Sequence, residues 1–281
     1  MKIDAHQHFW KLDRGDYDWL TPDLAPIFRD FLPDDLAPLL KANGVDGTIV
    51  VQAAETEAET EYLLSLTDQY DWILGVVGWV DMEAPHAVQS IERLAQHSRL
   101  VGLRPMIQSI PEDDWMLKRE ILPAIEAMQA HNLTFDALVL PKHLVHLKTF
   151  LERHPNLTTV VDHCAKPEIR NNLFQPWADE IAVIAAFSNV FCKISGLATE
   201  ASHDWDITDL APYIHHVQTM FGPDRTMFGS DWPVVNLASD YSQWNSAFES
   251  VLADISQTDQ RSFSARAAIK AYPRLREVKS S

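Results

Sequence analysis

Eight short runs rich in Val, Ile, Leu, Phe and Thr alternate with amphipathic stretches along the 281 residues, and this alternation narrows the fold more than any other feature. The runs are 2–6, 47–52, 72–80, 100–104, 133–138, 158–162, 190–194 and 225–229. Segments such as Gly47-Thr48-Ile49-Val50-Val51 are apolar throughout, as strands buried on both faces of a parallel sheet must be. Between the runs, 57–69, 85–96, 121–130, 144–153, 176–187 and 210–221 carry apolar residues at helical spacing. Two more helices are expected after the last run, 241–253 and 259–271, with Thr258 as the N-cap of the latter. A strand-to-strand step of roughly 25–35 residues fits βαβ units. Eight such steps predict an α/β fold of the (β/α)8 barrel type. No Gly/Ser linker, charge block or low-complexity stretch intervenes, so one domain over 1–281 is expected.

Bulk properties remove several function classes. A net charge of −17 with no Lys/Arg cluster would repel nucleic acid and anionic membrane surfaces. No apolar stretch reaches membrane-spanning length and no signal-like segment precedes the first run, so a cytoplasmic location is expected. Two cysteines, Cys164 and Cys192, cannot build a disulfide framework and do not have zinc-ribbon spacing. There is no Gly-x-Ser-x-Gly elbow, P-loop or Gly-x-Gly-x-x-Gly turn, which argues against serine hydrolases and nucleotide cofactors.

Barrels place their chemistry at the C-terminal ends of the strands. In order, those ends carry His6 and His8, Gln52, Trp79, Arg104, Asp136, His163, Lys193 with Ser195, and Asp231. Side chains alternate along a strand, so His6 and His8 share a face, suited to a metal or a substrate. Asp231, in Met227-Phe-Gly-Ser-Asp-Trp-Pro, can accept a proton from water or bind a metal; a turn cap is the plainer alternative. His163 offers a third imidazole, while Asp162 is expected to face the other way and orient backbone or a neighbouring side chain. Arg104, Lys166 and Lys193 suit a hydroxyl-rich or carboxylate ligand and a developing oxyanion; ion pairs with Asp136 or Asp162 are the structural alternative. Gln52 and Trp79 are expected in the pocket wall, and Trp10, Trp79 and Trp232 are candidate surfaces for stacking on a sugar ring. The first step is long, with an aromatic insert running from Phe9 through Trp10, Tyr17 and Trp19.

Together, His6-x-His8, His163 and Asp231 resemble the site of the amidohydrolase superfamily. Asp4-Ala-His-Gln-His-Phe-Trp, Tyr17-x-Trp19-Leu20, Val51-Gln-Ala, Gly102-Leu-Arg, Thr134-Phe-Asp, Asp162-His-x-x-Lys-Pro and Gly229-Ser-Asp-Trp-Pro resemble one branch of it. That branch contains sugar-lactone hydrolases, acting on L-fuconolactone or L-rhamnonolactone, and is related to the hydrolase of 2-pyrone-4,6-dicarboxylate. The resemblance runs from Lys2 to about Tyr272. It implies hydrolysis of an aldonolactone, with Asp231 activating water and the histidines polarising the carbonyl. Binuclear members carry a carboxylated lysine at strand four and a histidine at strand five. Here Arg104 and Asp136 stand at those ends, so two metals are not expected. One divalent ion on some of His6, His8, His163 and Asp231 is the expectation, zinc being favoured by such ligands, and the resemblance leaves open whether activity requires it. A homo-oligomer is compatible with the sequence. Two other readings remain at this point: decarboxylation of an aromatic acid, as in other branches, and a non-catalytic sugar-binding barrel.

Overall fold

All eight expected strands form in the computed structural model, which describes residues 1–253, 256 and 262–275. They are β1 (Ile3–Gln7), β2 (Gly47–Val51), β3 (Ile73–Gly78), β4 (Leu100–Leu103), β5 (Thr134–Ala137), β6 (Thr159–Val161), β7 (Val190–Ile194) and β8 (Thr226–Phe228). They pair in parallel in sequence order. The seam between β8 and β1 is drawn together by the chain just past β8: His8 N–H donates to Trp232 O (2.7 Å) and Asp231 N–H to His6 O (2.8 Å). The barrel is therefore closed by the segment that carries Asp231.

The helices are α1 (Pro33–Ala42), α2 (Glu57–Leu66), α3 (Ala87–Leu94), α4 (Leu122–Ala130), α5 (Leu144–Arg153), α6 (Phe174–Ala185), α7 (Leu197–Glu200), α8 (Ile207–Phe221), α9 (Tyr241–Leu252) and α10 (Ala267–Ala271). α1 is not among the expected helices, although its start is conventional. Pro33 occupies the first turn, and the Asp35 carboxylate accepts the Leu32 N–H at 2.9 Å. Of the expected helix 259–271, a π-turn over Ser262–Arg266 and α10 are seen; the cap at Thr258 lies outside the described residues. No helix among the described residues is long and apolar enough to cross a membrane.

Two apolar layers hold the barrel. Outward strand residues such as Val50, Val76, Phe135 and Phe228 pack beneath the helices. Inward residues, among them Ile3, Ile49, Leu74, Val101, Val160, Phe191 and Met227, fill the barrel with Ala268, Ala271 and Tyr272 from the C-terminal segment. Thr134 Oγ1 donates to Ala271 O at 2.6 Å, fastening α10 to the barrel.

One irregularity decides where the histidines point. Ile3 and Ala5 belong to the inward layer, so strict alternation would turn His6 and His8 outward. Between Asp4 and Gln7, however, β1 advances three residues while β2 advances from Thr48 to Val50. The extra residue reverses the alternation, as a β-bulge does, and His6 and His8 come in while Gln7 goes out. Asp4, facing α9, takes N–H bonds from His6 (3.2 Å) and Ser230 (2.8 Å) and the Tyr241 hydroxyl (3.1 Å), fixing the bulge to the β8 turn.

Candidate active site

At the C-terminal mouth of the barrel, His6, His8, His163 and Asp231 meet, all buried. Asp231 Oδ1 lies 3.2 Å from His8 Nε2, 3.7 Å from His6 Nε2 and 4.0 Å from His163 Nε2. His6 Nε2 and His8 Nε2 are 3.2 Å apart. Each ring is anchored through its other nitrogen. His8 Nδ1–H donates to Val51 O (2.8 Å), which turns Nε2 to the centre. His163 Nδ1 meets Ser195 Oγ at 2.9 Å, and that hydroxyl can donate or accept. His6 Nδ1 sits 3.4 Å from Asp162 Oδ1 and 3.3 Å from Lys193 Nζ.

The turn after β6 is unusual. His163, Cys164, Ala165 and Lys166 have φ of 53°, 54°, 60° and 50°, a run of left-handed residues with no glycine. Each costs about 1–2 kcal/mol relative to ordinary backbone. Lys166 N–H closes the turn on His163 O (2.8 Å), and the Trp177 indole N–H holds Cys164 O (2.7 Å). The turn explains why Asp162 and His163, adjacent in sequence, both face inward, contrary to the expectation that Asp162 turns away. Gly196 makes room for the ring: a Cβ there would lie 2.6 Å from His163 Nδ1, at a φ of +66°. Gly196→Ala is therefore expected to displace His163, lowering kcat about 10–100-fold and stability by about 1–3 kcal/mol. Steady-state kinetics beside thermal unfolding check this, and unchanged turnover would refute it.

Beneath the histidines lies a buried charged layer. Lys193 Nζ contacts Asp136 Oδ2 (2.6 Å) and Asp162 Oδ1 (3.0 Å), and the Tyr272 hydroxyl donates to Asp136 Oδ2 (2.7 Å). Arg104 gives Nη2–H to Gln52 O (2.5 Å) and places Nη1 3.3 Å from both Asp162 Oδ2 and His6 Nε2. Burial lowers the pKa of His6 far below its usual value and that of His163 to about 4, so both rings are neutral at pH 7. Burial pushes Asp231 upward, but the imidazoles packed against it, His163 foremost, then His8 and His6, outweigh it and hold the carboxyl below the usual carboxylate range. The site thus presents a carboxylate ringed by three imidazoles, of which His6 and His163 are uncharged.

Above this floor opens a cavity of about 630 Å³. Of the residues singled out from sequence, His8, Arg104, His163, Lys166 and Asp231 line it. His6 lies just below, against Asp231. Lys193 and Gln52 are fully buried in and beside the charged layer; Gln52 Nε2–H donates to Arg104 O at 2.8 Å. Trp10 is also fully buried, its N–H on Arg29 O (2.8 Å), because an antiparallel bridge to Phe31 makes it the core of the excursion after β1. Neither Trp79 nor Trp232 is part of the lining, and Trp232 packs edge-on against Phe9 and Phe31. Asp16, Asp18, Glu55, Met106 and Gln108 line the cavity unexpectedly, and Trp19, expected only as part of the aromatic insert, lines it too. These sit on loops with no periodicity. The β2–α2 loop is held by Glu59, which accepts N–H bonds from Ala53 (3.0 Å) and Ala54 (2.8 Å).

Chemically, three imidazole nitrogens and a carboxylate oxygen form a donor set suited to a divalent ion. His6, His163 and Asp231 offer atoms within 4.8 Å of one another. Ligands of a tetrahedral zinc stand about 3.3 Å apart, and the 3.2 Å separations of His8 from His6 and Asp231 match that spacing.

Known proteins resemble this chain over most of its length. The chain is 44% identical over 246 residues to an L-fucono-1,5-lactonase of Burkholderia ambifaria, covering 86% of this chain and 85% of the relative. It is 35% identical over 268 residues to an L-fucono-1,5-lactonase of Burkholderia multivorans, covering 89% and 88%. Among solved structures, an amidohydrolase from Burkholderia multivorans with bound zinc superposes with a TM-score of 0.91 at 32% identity, over 97% of this chain and 99% of that one. The amidohydrolase profile itself matches residues 3–274, from the first residue of β1 to just beyond α10. The match spans the barrel that carries the strand-end histidines and the Asp231 turn, and the chain belongs to the amidohydrolases.

Proposed function

We propose that the protein hydrolyses a sugar lactone to the open sugar acid. The observation that carries this reading is the 44% identity to an L-fucono-1,5-lactonase over most of both chains. In this reading Asp231 takes a proton from water as the water oxygen attacks the lactone carbonyl carbon. His6, His8 and His163, with Arg104 Nη1 beside His6, face the carbonyl oxygen as it gains charge. The bond from the carbonyl carbon to the ring oxygen then breaks, and Asp231 returns its proton to the leaving alkoxide. Lys166 and the upper wall bind ring hydroxyls. The four donors also fit one divalent ion, zinc being the natural choice, which would supply further positive charge at the carbonyl oxygen.

A pH-indicator assay on a panel of aldono-1,4- and 1,5-lactones tests the reading, repeated after chelation and zinc return. Acid release is expected on at least one sugar lactone, falling at least about 10-fold on metal removal and recovering with zinc. Silence on every lactone would overturn the lactonase reading; release of carbon dioxide from aromatic acids would then replace it. Full activity after verified metal removal would remove the ion and leave the organic site.

A further inference from the structure

The excursion after β1 crosses the mouth and brings Trp19 to the cavity. Trp19 is the tryptophan among the described lining residues, and 39% of its surface is exposed. Its one polar atom is already used: the indole N–H donates to Ala53 O at 2.7 Å. The ring is also set against Trp10 at 5.5 Å between centroids and 88° between planes. What this side chain offers the cavity is therefore a rigid apolar π surface. Exposed aromatic surface inside a polar cleft is suited to the C–H face of a sugar ring.

Its neighbours on the wall define the rest of the ligand. Asp18 and Glu55 are exposed there, and no ion pair with Lys or Arg is formed by either among the described residues. The two cations of the lining each have a carboxylate partner already, which offsets their charge but leaves N–H groups for hydroxyls. Arg104 is held by Gln52 O, Asp162 and His6, and Lys166 Nζ lies 3.6 Å from Glu200. The uncommitted charge of the upper wall is thus negative. Carboxylates accept hydrogen bonds from hydroxyls and repel a second carboxylate.

Building on the lactonase reading, we propose that Trp19, Asp18 and Glu55 form a ring-binding subsite. The Trp19 face stacks on the lactone ring, and the two carboxylates accept its hydroxyls. The subsite admits uncharged polyhydroxylated lactones and rejects lactones that carry a carboxylate. It also favours turnover in a second way: hydrolysis converts a neutral ring into an anion inside an acidic wall, on a chain of net charge −17, which expels the product.

The test compares L-fuconolactone with D-glucaro-1,4-lactone, which bears a free carboxylate, across wild type, Trp19→Ala, Trp19→Phe and the Asp18→Asn/Glu55→Gln double variant. Trp19→Ala is expected to raise KM for the neutral lactone at least about 10-fold with kcat within about 3-fold, the signature of lost uniform binding. Trp19→Phe, which keeps an aromatic face, brings KM back to within about 3-fold of wild type. The double variant lowers the preference for the neutral lactone at least about 10-fold and strengthens inhibition by the product acid at low salt. An unchanged KM in Trp19→Ala, or an unchanged preference in the double variant, overturns the subsite while wild-type turnover leaves the lactonase reading standing. A wild type inert on lactones defeats both, and does so before any variant is made.

Discussion

Asp231→Asn is expected to lower kcat on a sugar lactone by about 10³-fold or more, with KM within a few-fold of wild type. The substitution keeps shape and volume but removes the proton acceptor, the carboxylate that faces the three rings. An amide nitrogen can also stand where Oδ1 now lies, 3.2 Å from His8 Nε2. The fold stays intact. The Asp231 carboxyl is held below the usual carboxylate range, so the native state favours its charge and losing that charge costs some stability, while its backbone φ of 56° is one that asparagine tolerates well. A thermal midpoint modestly below that of wild type, with the variant still folded at assay temperature, is therefore expected beside the lost turnover. Loss of activity with loss of folding would reduce Asp231 to a structural residue, and full turnover in a folded variant would end its role as base. Kinetics and calorimetry on the same preparation separate these outcomes.

Physical causes of the same kind separate what the sequence revealed from what it hid. The strands were legible because a parallel strand buried on both faces needs an uninterrupted apolar run, and Gly47–Val51 and Val190–Ile194 are such runs. The convergence of His6, His8, His163 and Asp231 was legible because strand order alone brings strand ends together. The reasons behind it were hidden. Alternation placed His6 and His8 on one face, but which face depends on a single extra residue in β1 that no periodicity announces. Asp162 was expected to face away, and a left-handed run of four residues lets it and His163 share the interior. Lys193, read as a ligand for substrate, sits in the layer below, because a residue two positions earlier than the strand-end serine points in but not up. The wall was the least legible part. Trp10 and Trp19 are equivalent in composition, and only the Trp10–Phe31 bridge makes one core and the other cavity surface.

The buried charged layer makes the largest stability prediction. Lys193→Met is expected to cost about 3–5 kcal/mol, because it leaves carboxylates buried without their cation. The loss falls mainly on Asp136: Asp162 keeps Arg104 at 3.3 Å, whereas Asp136 keeps only the Tyr272 hydroxyl at 2.7 Å among its charged and hydrogen-bonding partners described above. Burial already lifts the Asp136 pKa from 3.8 to about 6 despite the pull of Lys193, and removing Lys193 lifts it further. A folded pKa above the unfolded one means the native state binds the proton more tightly. Stability then declines as pH rises from 3.8 through the folded value, and the decline is longer in the variant. The deficit against wild type should therefore be small near pH 5 and fully developed by about pH 8. Adding Asp136→Asn to Lys193→Met removes the stranded charge and should restore part of the loss at pH 8 while changing little at pH 5. Denaturant unfolding at both pH values reads all four corners of this cycle. A deficit that is the same at both would mean that Lys193 acts through packing of its methylene stem, and that the charged layer under the histidines is not what holds the barrel mouth together.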